Sequence, residues 1–148
     1  MKFDSFTGQA DYGPNPYVAN VGQMAMRNPN FRTALWTGEY MQMTLMNIPV
    51  RGEIGPEIHE DTDQMVRVEQ GIGLVTMGAD NDNPDFKQRV MQGDTIFVPA
   101  GTWHNIFNMG RMPLRLSSVY APPHHPRGTI HRTREEAEHS EMQERVKI

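Results

Sequence analysis

No cysteine occurs among the 148 residues, which excludes disulfides, thiolate metal sites and cysteine nucleophiles. An excess of positive charge is also missing. Lys and Arg number 14 against 18 Asp and Glu, for a net charge of −4. Nucleic acid and anionic membranes therefore meet no basic surface, and neither is an expected partner. No apolar run approaches the length of a bilayer span, and the opening MKFDSFTGQADYGP holds no apolar signal segment. A soluble, cytoplasmic protein is the resulting expectation. There is no internal repeat of fixed period. Methionine, by contrast, is plentiful at 12 residues, and this pliable side chain reads mostly as core filler.

The length suits one domain with a single buried core. Turn residues recur every several positions, and the segments between them are short. Phe31–Thr37 and Tyr40–Ile48 flank Gly38-Glu39, a two-residue hairpin signal with its glycine first. Gln64–Gln70, Gly73–Met77, Phe86–Met91, Thr95–Pro99, His104–Asn108 and Leu114–Tyr120 each read as one strand. In Tyr40–Ile48, Met41, Met43 and Leu45 share one face, with Gln42 and Thr44 on the other. Many short strands punctuated by glycine and proline predict an all-β sandwich or barrel over 31–120.

The ends differ from this middle. Residues 1–30 have weak periodicity and read as an irregular N-terminal arm. Residues 121–148 begin with a stiff, proline-rich linker, APPHHPRG, and continue into a charged run. There Thr133-Arg-Glu-Glu136 fits a capping box, which predicts a surface helix to about Arg145.

The chemistry-bearing residues cluster in two segments. In GDTIFVPAGTWHNIFN, residues 93–108, His104, Ile106 and Asn108 share one strand face, and Pro99-Ala-Gly101 sets the bend before it. In RGEIGPEIHEDTDQMVRVEQG, residues 51–71, Glu57 and His59 are two apart and co-facial if extended. Gln64 follows an acidic turn, with Val66 and Val68 continuing its face. A carboxylate, two imidazoles and an amide oxygen converging inside a barrel suit manganese, iron, nickel or zinc.

With these residues the chain resembles the cupin family. That family's second motif, G-x5-P-x-G-x2-H-x3-N, is matched throughout by Gly93, Pro99, Gly101, His104 and Asn108. Its first, G-x5-H-x-H-x(3,4)-E-x6-G, is matched in frame with departures. Glu57 stands at the first histidine, His59 matches the second, Gln64 replaces the glutamate and Gly71 closes the motif. The resemblance implies an all-β double-stranded β-helix, or jelly-roll barrel. It also implies a divalent metal held by His59 and His104, with Glu57 and Gln64 at the two remaining positions. Gln64 serves there either as a ligand or as a hydrogen-bonding support to a ligand histidine. One carboxylate and otherwise neutral groups keep the ligand charge of the family set, while the neutral Gln64 predicts looser metal binding.

Several functions are compatible with such a site. The resemblance implies a small-molecule ligand or substrate in the barrel, and three functions stay open. The first is an isomerase- or lyase-type enzyme that uses the metal as a Lewis acid on a small carbonyl- or hydroxyl-bearing compound. The second is a binding module without turnover, and the third is an iron-dependent dioxygenase. A phosphate-handling site would draw on Arg51, Arg89 or Arg111, none of which a motif places. His131 is a candidate lid or proton-moving group if the tail folds back. His124 and His125 point apart in an extended chain and are expected in an exposed loop, and His139 is expected in the solvated helix. The segment from Gly78 to Asp85 only faintly resembles a calcium loop and reads as a variable connection. Open sheet edges predict a homodimer, with the N-terminal arm as the crossing element.

Overall fold

A computed structural model describes residues 11–146. Residues 1–10 of the expected arm and residues 147–148 lie outside the described residues. The chain runs α1 (Val21–Arg27), β1 (Arg32–Thr37), β2 (Gln42–Ile48), β3 (Asp63–Gln70), β4 (Ile72–Gly78), β5 (Phe86–Met91), β6 (Thr95–Val98), β7 (Trp103–Asn108), β8 (Leu114–Ala121), β9 (Ile130–His131) and α2 (Arg134–Val146). Among the described residues, nine strands form two antiparallel sheets in an all-β jelly-roll barrel. One sheet is ordered β6-β3-β8-β2-β1-β9 and the other β5-β4-β7. Neither described helix is long and apolar enough to cross a membrane.

The barrel interior is divided lengthwise. On the inward face of β2, β8 and β3, Ile48 pairs with Leu114, Met46 with Leu116, and Leu116 with Val68. These residues join Val75, Val90, Ile96 and Ile106 in the apolar core. Two residues further along the same strands, the interior turns polar: Thr44 pairs with Ser118, and Tyr120 lies between Gln42 and Gln64. The polar face of β2 therefore points into the barrel. Leu45 and Met43, on its other face, pack outside against Met24, Ala25 and Leu35.

Two local expectations are corrected. The β1–β2 connection spans four residues, 38–41, because Thr37 pairs with Gln42, and the Gly38 amide donates to the Met41 carbonyl. The lead-in contains the helix α1, which weak periodicity concealed because it is only seven residues long. Its formation is explained locally: the Asn20 side chain caps the Gln23 amide, and Val21, Met24 and Ala25 share the face laid on the sheet. Arg115 from β8 donates to the carbonyls of Ala25 and Asn28 at the other end. At α2 the N-cap half of the expected capping box is present, with Thr133 Oγ1 accepting from the Glu136 amide at 3.1 Å.

The lead-in is tied to the post-barrel tail through one carboxylate. Asp11 Oδ1 accepts from the amides of Gly13 and Thr37, and Oδ2 accepts from Thr37 Oγ1 and the Gly128 amide. Arg127 completes the junction by donating to the carbonyls of Gly13 and Asp11. Asp11→Ala removes the acceptor for three amides at once, one of them at the end of β1. It should lower unfolding free energy by about 2–3 kcal/mol in urea titration. Loss of less than about 0.5 kcal/mol would mean that water replaces the carboxylate at no cost.

Candidate metal centre

The segment 52–59 has no regular strand assignment but runs beside β7 as one. The amide of Ile54 donates to the Ile106 carbonyl, while Glu57 and His104 exchange both main-chain hydrogen bonds, at 3.0 and 2.9 Å. This extended conformation puts Glu57 and His59 on the same side, facing His104. The turn before β7 is held from the same segment. Gly101, at a φ of 76°, donates its amide to the His59 carbonyl at 2.8 Å. That positive φ suits glycine, and a side chain there would strain the contact that carries His59.

Glu57, His59 and His104 form a cluster in which one ligand atom from each lies within 4.8 Å of the others. Both imidazoles are buried. His59 Nε2 is 3.3 Å from Glu57 Oε2, and its Nδ1 has no hydrogen-bond partner among the described residues. The His104 tautomer follows from its neighbour. Nδ1 lies 3.1 Å from the Thr102 carbonyl, which can only accept, so Nδ1 carries the proton and Nε2 offers its lone pair. Burial lowers the His104 pKa, which keeps that form uncharged at neutral pH. Gln64 lies on the inward face at the start of β3. Its Nε2 donates to Ser118 Oγ at 2.9 Å, and its buried Oε1 has no partner among the described residues. Unsatisfied buried acceptors beside a carboxylate are what a divalent ion requires, so the donor set fits such a metal.

The sequence reading passed over Arg32. This side chain is fully buried on the inward face of β1, where it donates from Nη2 to Glu57 Oε1 at 3.2 Å. Its Nη1 lies 3.1 Å from His131 Nδ1 and 3.9 Å from Glu141 Oε1. Burial alone would raise the Glu57 pKa, but Arg32, helped by His59, outweighs it and holds the carboxyl well below the usual range. Arg32 in turn stays charged. Burial would lower its pKa, and Glu57 more than reverses that. The available sequence signal was a lone cation among Phe31, Ala34 and Leu35, all of which are buried. Arg51, Arg89 and Arg111, the sequence candidates for a phosphate site, are all exposed.

The tail histidines depart from the extended, exposed loop that was expected. β9 pairs with β1, so His131 is buried against Arg32. Guanidinium only donates, so His131 Nδ1 accepts and the ring is neutral. Burial, with Arg32 second, depresses its pKa to about 4. His125 is also buried, its ring 5.2 Å from that of Tyr120, and burial with Arg32 holds its pKa well below 6.5. His124 keeps solvent exposure, yet its ring centroid is 4.0 Å from that of His59, and burial of the ring, followed by the nearness of His59, lowers its pKa to about 4. The physical reason is Gln42, a fully buried side chain that binds the backbone of both residues and folds the linker onto the barrel. Asn108 is a structural hydrogen-bonder, donating to the Ile48, Pro49 and Met112 carbonyls.

These depressed histidine pKa values have a stability consequence. The unfolded chain takes up protons near pH 6.5, whereas folded His131 resists them until about pH 4. Stability is therefore complete above that upper value and falls as pH drops through the window. In chelator-treated protein the melting temperature should be flat above pH 7 and decline from pH 6.5 to 5, before carboxylates begin to titrate. His131→Asn, which keeps an acceptor for Arg32, should flatten the decline. An unchanged slope would assign the effect to other groups.

A model of the Cupin domain matches residues 44–120. The crystal structure of BH2720 from Bacillus halodurans superposes with a TM-score of 0.86 at 51% identity, over 87% of this chain and 98% of that one. The uncharacterized protein YrkC of Bacillus subtilis is 50% identical over 127 residues, covering 86% of this chain and 68% of its own. The uncharacterized protein L612 of Acanthamoeba polyphaga mimivirus is 37% identical over 115 residues, covering 77% and 70%. The matched span takes in Glu57, His59, Gln64 and His104, with strands β3 to β7 and most of β2 and β8, and the chain belongs to the cupin family.

Proposed function

We propose that this cupin holds one divalent metal ion through Glu57, His59 and His104, with the Gln64 amide beside them, and acts on a small carbonyl- or hydroxyl-bearing compound in isomerase- or lyase-type chemistry. The observation that carries this reading is the buried three-residue cluster, in which His59 Nε2 faces Glu57 Oε2 at 3.3 Å and His59 Nδ1 has no hydrogen-bond partner among the described residues. Manganese, iron, nickel or zinc each suit such nitrogen and oxygen donors. A bound ion of this kind supplies Lewis acidity, polarising a ligand oxygen.

The chain's own residues have distinct tasks around that centre. Thr102 sets the His104 tautomer, and Arg32 fixes one oxygen of Glu57, leaving the other turned to His59. Ser118 fixes the Gln64 amide so that its oxygen is the free end. Tyr120 is buried next to His59, and burial raises its pKa, so the phenol stays protonated as a hydrogen-bond donor.

A second reading is favoured by one observation, the Arg32–Glu57 pair. It neutralises the carboxylate within the protein, so the pocket is charge-balanced without a metal and suits a small-molecule-binding module without turnover. The two-histidine, one-carboxylate set would also suit an iron-dependent dioxygenase. Metal analysis of tag-free protein separates these. Close to one ion per chain in wild type, lost in His104→Ala and Glu57→Ala, supports the metal reading, and iron with oxygen uptake selects the dioxygenase. An empty wild type that takes up none on reconstitution leaves the binding module.

The proposal extends to a homodimer formed through open sheet edges. Light scattering at micromolar concentration should then give twice the 16.9 kDa of the chain, and a monomeric mass would remove this part.

A further inference from the structure

The linker after β8 places His124 where neither family motif puts a residue. Gln42 Oε1 accepts from the amides of His124 and His125, at 3.2 and 3.0 Å, and Nε2 donates to the His125 carbonyl at 2.9 Å. The same Nε2 also donates to Thr37 Oγ1, so the clamp is itself anchored to the end of β1. With the backbone held, the two rings meet edge to face, their centroids 4.7 Å apart, and make different further contacts. His125 turns into the protein against Tyr120, whereas His124 lies on His59 with rings tilted by 50°. A solvent-exposed imidazole thus touches the buried ring at the middle of the metal-ligating cluster.

We infer that His124 is an exchangeable fourth ligand to the divalent ion held by Glu57, His59 and His104, covering the solvent side of the site until a substrate displaces it. The inference rests on the metal reading above. Three protein donors leave positions open on such an ion, and His124 borders them from outside. As placed, it stands apart from the three-residue cluster. Rotation about its side-chain bonds, with the backbone fixed by Gln42, changes its ring position without moving the fold. Because the backbone is already ordered, coordination costs mainly the rotamer freedom of one side chain. Its neighbours in the histidine row are engaged elsewhere, His125 against Tyr120 and His131 against Arg32. An imidazole from the tail would restore to the site the donor type that Glu57 replaces in the first motif.

The test is cobalt(II) titration of chelator-stripped full-length protein, read by affinity and by the visible absorption of the bound ion. Wild type, His124→Ala and His124→Glu are compared, with the fold of each checked by circular dichroism. His124→Ala should weaken cobalt binding by about tenfold or more and alter the spectrum. His124→Glu, which returns a donor to the same position, should recover affinity with a third spectrum. Affinity and spectrum unchanged in His124→Ala would make the ring contact packing only and overturn the inference while leaving the three-residue site intact. Weaker binding that keeps the wild-type spectrum, or that glutamate does not restore, would also overturn it. Failure of wild type to bind cobalt would remove the metal reading and this inference together.

Discussion

The buried ion pair between Arg32 and Glu57 is the constraint around which the polar half of the barrel is arranged. A guanidinium taken wholly out of water must keep its partner, because breaking such a pair by removing one member costs about 3–5 kcal/mol. Arg32 meets this demand from three directions. Glu57 comes from the segment beside β7, His131 from β9, and Glu141 from α2. The lead-in to the site, the returning tail and the C-terminal helix are thereby bound to one side chain of β1. The same pair decides the electrostatics of the centre, since it keeps Glu57 ionised despite burial and divides its two oxygens between Arg32 and His59.

The lengthwise division of the interior explains how one small barrel carries both an apolar core and a polar candidate metal site. Ile48, Leu114, Leu116, Val68 and Ile106 fill one end and exclude water. At the other end Gln42, Thr44, Gln64, Ser118 and Tyr120 line the same strand faces. Buried polar groups on a rigid sheet are held in register by the ladder beneath them, which suits a site whose donors must stay in place. Gln42 and Gln64 illustrate two uses of the same side chain. The first has its amide committed to the linker, whereas the second has an oxygen with no partner among the described residues.

Much of the candidate site was legible because it depends on short-range geometry. Glu57 and His59 are two residues apart, and in extended backbone that spacing puts them on one side. The proline and glycine before His104 mark a bend that needs a positive φ at Gly101, where it is found. The helix at the C-terminus was readable from Thr133, whose hydroxyl accepts from the amide three residues on, at Glu136. By contrast, α1 is short, and its face becomes apolar only against Leu35 and Leu45 from the sheet.

What the sequence by itself determined, then, is the set of local elements: strand alternation, turn positions, the two motifs and the cap of α2. The tertiary structure alone decided which face of each strand points inward and which distant groups meet. The polar face of β2 is interior because β8 presents Ser118 and Tyr120 to it in register, and no property of β2 taken alone specifies that. Arg32 reaches Glu57 across 25 positions and His131 across 99, and Gln42 grips the linker 83 residues away. Partners at such separations are chosen by strand order and chain return, which are properties of the assembled barrel and leave no period in the sequence.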